Sequence, residues 1–412
     1  MRTLLLLACT AACSGSGDSE IGDVIAARQI PEAIRPDVAA IAQANNQFAC
    51  DLYAKLAVHD GNVVASPFSI STAMAMVDAG AAGNTDAELR GALHFTLPGE
   101  RTHAAYGAVL DSLDTGRTFG VYTLATADRL FGQSGSKFSP DFLATTKNDY
   151  GAELLPVDFQ HNLEAARATI NGWVADQTEH RITELFAPGE LDPATVLTLV
   201  NAIVFQGTWE QRFDAGATAS APFRLAQGSA VQTPMMHHPG PIATAKIPGG
   251  NIGVLPFRGK DLSMVVALPE QPDGLPAIEA ALSADAIAQW IAAAHPDGEV
   301  VEVVFPKFAI TSKVNLVAAL EQLGITSAFD PQVADLSPID GARDLYVQQV
   351  VHRAVLAVDE RGGTAAAATG VGLTPTAAIE FVADRPFVFF IYDHVTGSVL
   401  FLGRLADPTK SS

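Results

Sequence analysis

The chain has 412 residues, 48% of them hydrophobic, enough to bury a large core. Its 25 basic and 45 acidic residues leave a net charge of −20, with no local cluster of Lys and Arg to offset it, which excludes a nucleic-acid partner. Of three cysteines only Cys50 lies in the body of the chain, which excludes an internal disulfide there and leaves stability to packing.

The first twelve residues read as an export signal. Arg2 is followed by the short apolar run LLLLACTAA, too short to span a bilayer and ending in small residues. Cys13 follows Thr10, Ala11 and Ala12 and precedes the polar SGSGDSE. That arrangement resembles the lipobox of bacterial lipoproteins, which implies removal of residues 1–12 and a lipid on Cys13. Cys9 is a second candidate, and an ordinary cleaved signal peptide is the alternative. Residues 13–37 then form a flexible tether ending in Pro31 and Pro36. The expectation is an exported protein, extracellular or at the cell surface, held on a bacterial envelope only by its lipid.

From Val38 the pattern changes. Ile41, Ala44, Phe48, Leu52 and Leu56 recur at helical spacing and predict an amphipathic helix ending near Asp60-Gly61. SPFSISTAMAMVDAGAAG predicts a second helix, apolar on nearly every side and so buried, with Ser66 as cap and Pro67 in the first turn. LEAARATINGWVADQT and KVNLVAALEQLG read as further helices. TVLTLVNAIVF, LSMVVALP, VEVVFPKFAI and LYVQQVVHRAVLAV read as strands, and PFVFFIYDH and GSVLFLGRL as a hairpin through Val395-Thr396-Gly397. Helices dominate the first half and strands the second, without βαβ alternation, repeats or an internal linker. The fold class is therefore α+β with large, mostly antiparallel sheets, and residues 38–412 form one domain.

The stretch from Glu360 to about residue 385 stands out. Between two strongly apolar strands it is built almost wholly of Gly, Ala and Thr, so it is pliable and open to proteolysis. Structureless loops longer than about 15 residues are uncommon and tend to be functional. From Gly362 to Thr374 there is no proline and no charge. As a strand, its alternate residues Gly363, Ala365, Ala367 and Thr369 would share one face small enough to slip beneath an existing sheet.

At this point the chain resembles the serpin family, across nearly all of residues 40–408. The resemblance rests on six ordered blocks: NVVASPFSISTAMAMVDAGAAGNTDAEL, LVNAIVFQGTWEQRFDAGAT, VQTPMM with LSMVVALP, FPKFAITSKVNLVAALEQLGITSAFDPQVADLSPI, VHRAVLAVDERGGTAAAAT and DRPFVFFIYDHVTGSVLFLGRLADP. It implies three β-sheets, about eight to nine helices and an exposed reactive centre loop over about 360–385. It also implies a monomer that needs no cofactor or metal.

Residue roles follow from the resemblance. Ser66, Ser69, Asn201 and His352 match a buried polar cluster that controls opening of the central sheet. Trp209, Lys307 and Glu360 match the point where insertion starts, Lys307 and Glu360 as a charge pair. The hinge is Glu360, Gly362, Gly363, Thr364, Ala365, Ala366, Ala367, Ala368 and Thr369. Counting from Glu360 in the family manner puts the scissile bond between Thr376 and Ala377, with Leu373–Thr374 as the alternative. The first suits an elastase- or subtilisin-like serine protease and the second a chymotrypsin-like one; neither is basic, so a trypsin-like target is excluded. The implied mechanism is suicide inhibition. The protease serine acylates itself on the loop, the cut loop inserts into the central sheet, and the tethered enzyme is distorted before hydrolysis. Gly363 departs from the usual Thr of the hinge, and glycine weakens a strand, which favours substrate behaviour over trapping.

Two rivals remain. One is a serpin that no longer inhibits and acts as a chaperone, a carrier or a plain substrate. The other is a hydrolase, against which stands the absence of G-x-S-x-G, H-E-x-x-H and C-x-x-C motifs. GVLPFRGKD lacks phosphate-loop spacing and carries Asp261 where Ser or Thr belongs, and adjacent His237 and His238 would point to opposite faces of a strand.

Overall fold

The computed structural model describes residues 28–118, 122–240, 242–295, 301–362 and 379–411. Cys13 and Cys9, the hinge residues Gly363, Thr364, Ala365, Ala366, Ala367, Ala368 and Thr369, and the candidate cleavage residues Leu373, Thr374, Thr376 and Ala377 lie outside them.

The chain opens with α1 (Arg35–Leu56), β1 (Val63–Ala65), α2 (Pro67–Asp78), α3 (Gly83–Ala92) and α4 (Gly99–Thr118). Next come β2 (Tyr122–Gln133), α5 (Pro140–Tyr150), β3 (Leu155–Val157), α6 (Leu163–Gln177) and β4 (Leu197–Gly207). A run of strands follows: β5 (Asp214–Arg224), β6 (Ala230–Gly240), β7 (Ala243–Ile247), β8 (Gly250–Pro256) and β9 (Leu262–Pro269). After α7 (Leu275–Ala281) and α8 (Ala284–Ala293) come β10 (Val301–Pro306), β11 (Phe308–Asn315), α9 (Val317–Gln322) and α10 (Ser337–Asp340). The chain ends with β12 (Val351–Val358), β13 (Ile379–Val382), β14 (Phe387–Asp393) and β15 (Val399–Leu405). The ten α-helices among the described residues exceed the expected eight to nine, the excess being short pieces such as α10.

Three predicted elements are redrawn. VEVVFPKFAI is not one strand: it breaks at Lys307 into β10 and β11, which belong to different sheets. Of KVNLVAALEQLG, Lys313 to Asn315 finish β11 and only Val317–Gln322 is helical. Residues 345–350 carry strand composition, but the ladder starts at Val351.

A six-stranded sheet has the order β1-β15-β14-β9-β8-β7, a four-stranded sheet β13-β10-β6-β5, and a five-stranded central sheet β11-β12-β4-β2-β3. Alternation along β2 and β4 decides their packing. Leu124, Leu130, Leu199, Ile203 and Phe205 face the main core, which the six-stranded sheet closes through Phe389 and Phe401. Ala127, Phe131, Val200, Ala202 and Val204 face outward and are covered by Ala166, Ile170 and Val174 of α6. The helix α2 is buried at every position, as its composition predicts, and lies beneath the central sheet. The packed chain starts earlier than the expected tether end at 37: α1 begins at Arg35, Ile30 is buried, and the Arg28 guanidinium donates to both carboxylate oxygens of Asp393 at 2.9 and 2.8 Å, with both side chains buried.

Candidate functional site: the seam of the central sheet

Most of the central sheet is antiparallel. β2 and β4 pair over eleven residues, from Tyr122 opposite Gly207 to Gly132 opposite Leu197. β11 and β12 pair over eight. Between them β4 and β12 run parallel and pair over only six, from Val351 opposite Val200 to Leu356 opposite Phe205. Parallel pairing is slightly weaker per residue, so this short seam is weaker than the two antiparallel ladders that flank it.

The polar residues predicted to control opening meet beneath that seam. His352 on β12 stands opposite Asn201 on β4, which stands opposite Asp128 on β2, a row across three strands. Ser66 caps α2, its hydroxyl accepting from the Ser69 N–H at 3.2 Å and donating to the Leu400 carbonyl at 2.6 Å. The Ser66 N–H donates to His352 Nε2 at 3.1 Å, so Nε2 is the acceptor and Nδ1 carries the proton. Nδ1 then donates to Asn201 Oδ1 at 2.5 Å. Asn201 Nδ2 lies 2.6 Å from Ser69 Oγ, 2.9 Å from the Ser69 carbonyl and 2.7 Å from Asp128 Oδ1. The bonds form a directed chain from a main-chain donor to a carboxylate. Burial pushes the His352 pKa down to about 3 and keeps the ring neutral.

Sequence reasoning missed Asp128. The only signal for it is an acid inside an apolar strand at an inward position, and the cross-strand register that gives it meaning is not local. Burial raises its pKa to about 7, more than the hydrogen bonds from Ser69 and Asn201 lower it.

At the end of the seam beyond Val358 the three residues expected to mark the start of insertion, Trp209, Lys307 and Glu360, also come together. Trp209 is buried and stacks on Phe257 with ring centroids 4.6 Å apart. It is more than core: its Nε1 donates to the Asp359 carbonyl and its main-chain N–H to the Arg361 carbonyl, each at 2.9 Å. Lys307 Nζ lies 2.9 Å from Glu360 Oε2, and Thr218 Oγ1 donates to Glu360 Oε1 at 2.9 Å. Partial burial works against the Glu360 carboxylate, but the bonds from Lys307 and Thr218 hold its pKa below the usual value. Gly362 closes the site with φ +91°, and a Cβ there would fall 1.9 Å from the Gly207 carbonyl oxygen, so only glycine fits.

The other candidates stay apart. His237 and His238 point to opposite faces of β6, His237 toward Glu302 at 3.2 Å and His238 into the interior. Among the described residues no group of His, Cys, Asp and Glu could hold a metal ion. No helix among them is long and apolar enough to cross a membrane.

The family model described as Serpin (serine protease inhibitor) matches residues 43–408. The leukocyte elastase inhibitor of Bos taurus is 42% identical over 386 residues, spanning 89% of this chain and 99% of that protein. That of Homo sapiens is 40% identical over 380 residues with the same coverage. Among solved structures, uncleaved ovalbumin superposes with a TM-score of 0.81 at 30% identity, covering 90% of this chain and all of that one. Mouse protein-Z dependent protease inhibitor superposes with a TM-score of 0.80 at 28% identity, covering 92% and 100%. The chain belongs to the serpin family, a family of protease inhibitors.

Proposed function

We propose that this protein is an irreversible suicide-substrate inhibitor of serine-type endopeptidases. It traps the acyl-enzyme by inserting its cut loop between β4 and β12. The observation that carries the proposal is the parallel seam together with the turn at its end. The Gly362 N–H donates to the Asp359 carbonyl at 3.1 Å and closes a two-residue turn over Glu360 and Arg361. Extended in that register, a strand continuing from the turn runs antiparallel to β12 and, because β12 and β4 are parallel, antiparallel to β4 as well. Position 367 then falls opposite Ala354 and position 369 opposite His352. The inward positions of β12 are the even-numbered ones, buried at 352, 354, 356 and 358. Ala365 and Ala367 therefore enter the apolar interior, and Thr369, the polar member of that face, arrives at the polar cluster. Each new ladder hydrogen bond contributes about 1 kcal/mol net, and a dozen make insertion strongly downhill.

The target proposed is an elastase- or subtilisin-like enzyme cutting Thr376–Ala377, supported by the small side chains there and by the elastase inhibitors among the relatives. Cleavage at Leu373–Thr374 would redirect it to a chymotrypsin-like enzyme. The test is incubation with a panel of serine proteases, followed by denaturing gels and mass spectrometry of the released fragment. A complex that survives SDS and a fragment beginning at Ala377 are the expected results. Clean cleavage with no adduct would instead establish a chaperone, carrier or plain substrate, and would trace to Gly363 in the hinge.

We propose further, on residues 1–37 of the sequence alone, that the chain is exported and anchored through Cys13, acting as a monomer outside the cell. The mass of the mature N-terminal peptide tests this: a lipid-modified Cys13 supports it, and a retained Met1 overturns it.

A further inference from the structure

A carboxylate closes the hydrogen-bond chain under the seam, and no cation is paired with it among the described residues. Asp128 makes no ion pair among the described residues; its bonds come from Ser69 Oγ at 3.3 Å and Asn201 Nδ2 at 2.7 Å. The elements around it supply little charge. α2 presents Ser69, Thr72 and Met76, α4 presents Leu110, and α6 presents Trp173 and Gln177, none of which titrates. Three titratable groups share its surroundings. The Arg129 guanidinium lies over the Trp173 ring at 4.8 Å, and Tyr150, whose pKa burial raises well above the ordinary value, lines the same space. The third, His352, stands behind Asn201 and is neutral.

That space is a cavity of about 160 Å³ on the side of β2 away from β4, with Thr126, Asp128, Arg129, Tyr150, Trp173 and Gln177 in its wall. It is polar and roomy enough to admit water. β2 is bound to β4 by an eleven-residue ladder but to α2 by side chains alone. When the seam widens, β2 must travel with β4, which draws Asp128 off Ser69 and along this cavity.

We propose that Asp128 makes insertion into the central sheet pH-dependent: its ionised carboxylate, buried under the closed sheet with no ion-pair partner, favours the open seam, while its protonated form favours the closed one. This rests on the insertion reading above. The sign follows from linkage. The carboxyl titrates at about 7 in the closed sheet, against about 4 for a hydrated aspartate, so the closed form binds the proton more tightly. That advantage is complete below about pH 4 and is lost as pH rises through about 7, one proton leaving to solvent as the seam opens.

The test needs no protease. A synthetic peptide with the sequence of residues 363–374 is annealed into the intact protein, and the rate is followed from about pH 5.5 to about pH 8.5. The wild type is expected to anneal about tenfold faster at the upper end, while Asp128→Asn varies by less than about twofold and Asp128→Glu keeps the slope. The infrared band of a protonated carboxyl should vanish from the intact wild type over the same range, a reading that requires no variant to fold. Identical slopes in wild type and Asp128→Asn, or a carboxyl already ionised at pH 5.5 or below, overturn the pH role and leave the insertion reading standing. No annealing at any pH in any variant overturns the insertion reading itself, and the pH role with it.

Discussion

The six-stranded and five-stranded sheets pack against one core but are closed in opposite ways. In the former every neighbouring pair is antiparallel, and β9, β14 and β15 are buried along almost their whole length. Phe387, Phe389, Phe390 and Phe401 are fully buried there, and such packing yields only at the full cost of exposing it. The central sheet instead contains a parallel seam of six pairs, bridged by one hydrogen bond between neutral side chains, His352 to Asn201. Directional bonds of this kind can be exchanged for those of an incoming strand with little net change. On the proposed reading one sheet is a foundation and the other a gate, and the polarity of a few buried groups separates them.

The largest effect that sharpens this contrast belongs to the foundation. Phe389→Ala removes a ring packed on Phe308 and Phe387 and should destabilise intact and loop-cleaved protein alike by about 3–5 kcal/mol, read from denaturant midpoints. Equal losses support the contrast, and a loss confined to the intact form breaks it. Next comes the gate. His352→Ala leaves the Ser66 N–H and Asn201 Oδ1 without partners and should cost the intact form about 1–3 kcal/mol while speeding spontaneous insertion. The pH slope carries a sign as well. Because burial depresses the His352 pKa to about 3, the stability that needs the neutral ring is present above about pH 6.5 and lost as pH falls toward 3, and the variant should lack that loss. The smallest effect belongs to the hinge pair. Lys307 is half exposed, so Lys307→Ala should change the barrier to insertion by about 0–1 kcal/mol, visible as a faster annealing rate at low salt that merges with wild type at high salt.

Much of this was legible in the residues. Ser66 before Pro67 marked the start of α2, and its cap bond is present. The α+β class followed from the order of helical and alternating stretches, and the ordered blocks brought Ser69, Asn201, His352, Trp209, Lys307 and Glu360 forward as candidates. The misreadings share a cause. Lys307 sits in a continuous strand-like run, yet the chain changes sheets there, since its N–H bonds the Pro234 carbonyl while Phe308 begins the ladder with β12. Residues 345–350 have the composition of a strand but no aligned partner: Val347 bonds Ala328, and Gln348 reaches Thr195 and Asp192 through its side chain. Asp128 was invisible for the same reason, because its role depends on Ser69, fifty-nine residues before it, and Asn201, seventy-three residues after it. Local pattern reports periodicity and caps, and register between distant strands is set by tertiary packing.

The closed seam is proposed as a loaded state which one cut in residues 363–378 releases, and the melting temperature before and after a single nick tests this most directly. Insertion of a new strand predicts a rise of roughly 20 °C or more, given about a dozen added ladder hydrogen bonds. An unchanged melting temperature in protein shown to be fully nicked would contradict the account.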